Sequence, residues 1–158
     1  MLHFILERAD HSLAINAAIE NGVTTAQIAD ALKPLFELWD FTEQTIVEGR
    51  SDTEAELDYD PDSGDLNFYT SGDVSYDYEN YVVEAMSRLG PLCRTAGQAV
   101  LSDHDTGDLD NARMYIVFGK DEKSREEFAR KRDMNAAMEL LAMHYEENII
   151  DQVRAILA

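Results

Sequence analysis

Two stretches of this chain carry nearly the same eight-residue pattern, 43 positions apart. One reads Asp60-Pro61-Asp62-Ser63-Gly64-Asp65-Leu66-Asn67, the other Asp103-His104-Asp105-Thr106-Gly107-Asp108-Leu109-Asp110. Asp and Ser bond to nearby backbone, Pro pre-sets one dihedral, and Gly accepts a positive φ, so each stretch is a tight turn. The flanks alternate. Ala55, Leu57 and Tyr59 are interleaved with Glu54, Glu56 and Asp58, and Leu66 and Phe68 with Asp65 and Asn67. Around the second turn, Met114, Ile116 and Phe118 alternate with Arg113, Tyr115 and Val117. Period two is the signature of a half-buried strand. The pattern predicts β-hairpins over 51–70 and over 97–102 with 111–118. A helical pattern follows each hairpin. The repeat suggests a tandem ββα arrangement with a mainly antiparallel four-stranded sheet, and convergent turn chemistry is the competing account of the likeness.

Helical spacing organises the rest. Over 77–89, Tyr78, Tyr81, Val82, Ala85, Met86 and Leu89 share one face, and Gly90-Pro91 ends the run. Residues 121–157 read as helix in two pieces, striped by Met134, Ala137, Met138, Leu141, Tyr145, Ile149, Val153 and Ile156. That stripe serves either to cap the sheet or as the seam of a homodimer. At the other end, 10–39 reads as two helices. Asp10 caps a stripe of Leu13, Ala14, Ala17 and Ala18, which Asn21-Gly22 stops. Thr24 and Gln27 form a capping box for the second, with Ile28, Ala31, Leu32, Leu35, Phe36 and Trp39 at helical spacing and Pro34 as a kink or stop. The expected fold is a single acidic α+β domain. It has a helical hairpin over 10–39, a ββαββ sheet core over 51–118, and C-terminal helices over 120–157.

The charge is concentrated. The chain holds 32 acids and 13 bases, a net −19, of which residues 40–110 carry −15. Such a field repels nucleic acid and anionic membrane, whose binding requires clustered Lys and Arg. It favours a basic protein partner. No apolar run approaches the ~20 residues needed to span a bilayer. Met1–Leu6 runs straight into Glu7 and Arg8, without the basic start and long apolar stretch of a secretory signal. With one cysteine, Cys93, no intrachain disulfide can form, and a cytoplasmic setting is expected.

On a strand, alternate residues point the same way, so Glu54, Glu56 and Asp58 form a row spaced by roughly 6.5–7 Å, close to the phosphate spacing of a nucleic-acid strand. Asp60, Asp62 and Asp65 extend it through the first turn; Asp103, Asp105, Asp108 and Asp110 cluster around the second. Tyr69 and Tyr76 offer flat amphipathic contacts of the kind enriched at interfaces. These twelve residues are the candidate partner-binding set. An acidic row with aromatic neighbours can occupy a basic groove built for DNA or RNA. Some anti-CRISPR and anti-restriction inhibitors from phages and mobile elements act in this way. The expectation is a non-enzymatic inhibitor of a nucleic-acid-handling protein. The alternative is a toxin-neutralising or adaptor module that covers a basic partner without resembling nucleic acid. A solvated sheet face is the plain reading beside both.

Other chemistries find less support in the residues. Asp58, Asp60 and Asp62 have the 1-3-5 spacing of a calcium loop, but Ser63 stands where Gly is required and Tyr69 where a bidentate Glu is required, so no metal site is assigned. Ala18, Gly22-Val23 and Ile28 lie at spacings that resemble a helix-turn-helix. The would-be reading helix, 24–33, offers only Lys33 as a base, so a plain helical hairpin is expected. His3, His11, His104 and His144 are scattered, and no nucleophile, phosphate-loop or zinc motif appears. Cys93 reads as a buried structural thiol, and no catalytic residue or cofactor is assigned.

Overall fold

Where the spacing of Leu13, Ala14, Ala17 and Ala18 predicts a helix, the chain forms an eleven-residue strand, β1 (Arg8–Ala18). The helical stripe leaves Ile15 outside it. Leu13, Ile15, Ala17 and Ile19 are buried in strict alternation with the more exposed Ser12, Ala14, Asn16 and Ala18. Tertiary pairing overrides the helix preference of the alanines, because β1 finds a strand partner on each side. The helix-turn-helix resemblance falls with it: residues 14–33 are strand, turn and helix. The computed structural model describes residues 8–75, 77–103, 113–144 and 147–158.

Six antiparallel strands form one sheet, in the order β2-β3-β4-β1-β5-β6, so the overall class is α+β. β3 (Ala55–Tyr59) and β4 (Asp65–Ser75) are the first expected hairpin, and β5 (Gly97–Asp103) and β6 (Arg113–Phe118) the second. The expected four strands become six because β1 inserts between the hairpins and β2 (Arg50–Ser51) adds a short edge. Each hairpin is followed in the chain by a helix, α3 (Tyr78–Leu89) and α4 (Glu122–Ala142). The second turn, Asp103–Asp110, lies outside the described residues beyond Asp103.

Register fixes which residues share a face, since opposed residues in an antiparallel ladder point the same way. Leu13 opposes Thr70 and Leu101, and Ile15 opposes Phe68 and Ala99. This face is buried under α1 (Thr25–Phe36) and α3, which pack on one another. α1 contributes Ile28, Ala31, Leu32, Leu35 and Phe36; α3 contributes Tyr78, Val82, Ala85, Met86 and Leu89. The predicted capping box holds: Thr24 Oγ1 accepts from Gln27 N at 3.2 Å, and Thr24 N donates to Gln27 Oε1 at 2.9 Å. A short helix absent from the sequence reading, α2 (Glu43–Glu48), buries Ile46. Phe36, Phe41 and Phe68 form an aromatic cluster, with ring centroids 5.4–6.2 Å apart, and the Arg50 guanidinium lies over Phe41. The one buried polar side chain among the described residues, Thr70, bonds the Tyr78 hydroxyl at 3.1 Å.

The chain divides into two compact units, Met1–Arg125 and Glu126–Ala158. The second contains most of α4 together with α5 (Glu147–Leu157), the two expected helical pieces. Among the described residues no helix is long and apolar enough to cross a membrane.

The first turn is locked to the end of β1. Ile19 N donates to Gly64 O at 2.7 Å, and Arg94 donates to Ser63 O at 2.5 Å and to Ile19 O at 3.4 Å. Gly64 has φ +79°, and a Cβ there would lie 2.4 Å from Ile19 O. Gly64→Ala must therefore adopt a left-handed backbone and part the turn from β1. We expect a loss of about 2–4 kcal/mol in urea unfolding. A variant as stable as the parent would show that the contact is dispensable.

Candidate functional site

The β3–β4 hairpin presents the acidic row. Glu54, Glu56 and Asp58 are exposed and share the face opposite the core, because Ala55 and Leu57 between them are buried. Tyr69 stands directly across from Glu56, and Asn67 across from Asp58. Asp62 is exposed in the turn, and Asp65 is exposed at the start of β4. Arg94 reaches to within 3.8 Å of Asp65. Among the described residues Glu54, Glu56, Asp58 and Asp62 have no ion-pair partner.

Asp60 has a different role. Its Oδ1 accepts from Asp62 N at 2.8 Å and Ser63 N at 3.4 Å, which builds the turn. Those backbone donors hold its carboxyl below the usual range. The same mechanism acts at Asp52, led by its bond with Arg50, and at Asp121, led by Ser124. The calcium-like spacing of Asp58, Asp60 and Asp62 thus follows from turn geometry. Among the described residues no group of three His, Cys, Asp or Glu is placed to hold a metal ion.

The candidate set does not converge on one place. By register, Asp103 opposes His11 and belongs with Leu101 and Leu13 on the helix-covered face, opposite to Glu56 and Asp58. It also lies three strands from β3, a separation of about 14 Å at the usual spacing. Tyr76, Asp105, Asp108 and Asp110 lie outside the described residues, as do His3 and His104.

Reading β1 as a helix hid the remainder of the open face. With β1 in place, Glu56, Tyr69, Ala14, Val100 and Tyr115 form one row across five strands. Asp58, Asn67, Asn16, Gln98 and Val117 form the next. The acids stand at one end, small and amide side chains in the middle, and Tyr115 at the other. The period-two pattern of Leu13, Ile15 and Ala17 was the available signal.

Cys93 is fully buried, and its thiol donates to Leu89 O at 3.3 Å. Burial pushes the thiol up to about 12, so it is a protonated packing group at neutral pH. His11 meets the Tyr78 ring edge-on, and His144 is exposed in the second unit. Comparison with known protein families, characterised proteins and solved structures finds no match to this chain.

The thiol sets an alkaline limit. The unfolded chain releases this proton near pH 9, while the folded chain holds it to about 12. That contribution is fully present below pH 9 and fades as pH rises through this window, with a slope of about 1.4 kcal/mol per pH unit. Desolvation raises Tyr78 as well, and its contribution is lost in the same direction above pH 10. Unfolding free energy measured from pH 8 to 11 should fall less steeply for Cys93→Ala, by about one proton. Equal slopes would mean that the thiol titrates alike in both states.

Proposed function

We propose that the chain is a non-enzymatic interaction protein. Its acidic hairpin face occupies the basic groove of a nucleic-acid-handling protein, in the manner of a nucleic-acid-mimicking inhibitor. One observation carries the reading: Glu54, Glu56 and Asp58 stand exposed in a single row on one strand, without a cation against any of them, beside the exposed Tyr69. A row of unneutralised carboxylates is costly to assemble, since like charges on neighbouring positions repel. A partner that brings Lys and Arg relieves that repulsion and gains fast, salt-sensitive association. The residues with built-in roles, Asp60 and Asp65, frame the row, whereas Tyr69 supplies a flat contact within it.

The test replaces three exposed side chains and leaves the core intact. Wild type and a Glu54→Gln, Glu56→Gln, Asp58→Asn variant serve as bait in a nuclease-treated host lysate. A nucleic-acid-binding protein should be held by wild type, displaced by DNA or RNA, and released on raising salt from roughly 50 to 500 mM. The variant should associate with it at least about tenfold more slowly. Displacement that fails while salt still releases the partner favours an adaptor that covers a basic surface without resembling nucleic acid. Binding that ignores both salt and the variant refutes a role for this face.

A further inference from the structure

The second unit buries little of its own apolar surface. α5 is strongly one-sided: Ile149, Ile150, Val153, Ile156 and Leu157 recur at helical spacing. Of these, Ile150 is buried, whereas Ile149 is 42% and Ile156 81% exposed. On the preceding helix and its end, Leu140 is 63% and Met143 74% exposed, and Met138 is buried. A groove of about 470 Å³ separates the two helices, floored by Met134, Met138, Ala142 and Leu157. Two helices with 33 residues between them are too few to enclose a core, and such pairs normally gain one by packing on further helices. Contiguous exposed apolar surface of this kind marks an interaction site.

We infer that this face is the contact through which two copies of the chain associate, α5 of each copy entering the groove of the other to complete a four-helix core. Charge decides the occupant. Residues 126–158 hold seven acids and four bases, whereas residues 1–125 hold 25 acids and nine bases. The helical unit is thus the part of the chain where a second, equally acidic copy meets the least repulsion. It also carries both signs: Arg130, Lys131 and Arg132 lie on α4 apart from Glu139 and Asp151, so the surface has charge to offer to itself. A basic partner is drawn to the other unit. An anionic membrane is a poor match, since the polar side of α5 holds Glu147 and Asp151 against Arg154 alone.

This inference concerns a surface separate from the acidic hairpin, and salt separates the two. Sedimentation of the full chain over about 5–200 µM should show twice the 17.8 kDa chain mass, unchanged or tighter when salt rises to roughly 500 mM. Ile149→Glu with Ile156→Glu should weaken self-association at least about 100-fold. Both side chains are already exposed, so far-UV circular dichroism and the melting temperature at low concentration should hold; a concentration-dependent melting temperature in wild type alone gives the same answer without the variant. A wild type that stays monomeric throughout overturns the inference. So does a dimer that persists in the double variant, one that high salt dissolves, or a monomer that sediments with phosphatidylserine vesicles.

Discussion

The two ladders along β1 hold the first unit together. β1 pairs with β4 over its whole length and with β5 over six residues, so its backbone donors and acceptors have partners on both sides. β3 is joined to it through β4, and β6 through β5. Leu13 and Ile15, both fully buried, therefore sit at the centre of the face that receives α1 and α3. The end of the strand is fastened by other means. Ile19 bridges to Cys93, Arg94 N donates to Ala18 O at 2.9 Å, and the Arg94 guanidinium reaches the first hairpin turn. One arginine thus ties together β1, the β3–β4 turn and the segment leading to β5.

How much of this was legible depends on how local each signal is. The hairpins, α1 and α3 declare themselves through turn residues, capping and periodicity, all within a dozen positions, and the structure has them where those signals lie. β1 does not. Leu13, Ala14, Ala17 and Ala18 fit a helix, while Leu13, Ile15, Ala17 and Ile19 fit a strand. What decides between them is the presence of Phe68 and Ala99 on either side, more than fifty positions away. α2 and β2 were missed for a related reason: six and two residues are too short for a period to show. For the candidate surface, alternation on β3 correctly grouped Glu54, Glu56 and Asp58. It gave no hint that Asp103 belongs to the opposite face, because that needs the register across β1.

Electrostatics and packing are kept apart in the first unit. The described ion pairs are solvent-exposed, and such pairs add at most about 1 kcal/mol each. Arg50 is the better integrated cation. It bonds Trp39 O at 2.9 Å, pairs with Asp52 and covers the Phe41 ring. The acids of β3 have no such duties. Removing their charge should leave the aromatic cluster beneath untouched, so a surface change and a loss of fold are separable in this protein.

The place of β1 in the sheet also sets a timetable. It is the earliest of the six strands in the chain, yet its neighbours come from residues 65–75 and 97–103. At a synthesis rate of about 5–20 residues per second, the strand waits on the order of 4–17 seconds between its own appearance and that of β5. During that interval an apolar, alanine-rich segment has no partner, and its helical spacing gives it a transient alternative. Sheet closure is thus an event of long sequence separation, which slows folding. The nascent chain has to keep its central strand unpaired, or held as a passing helix, until the second hairpin has been made.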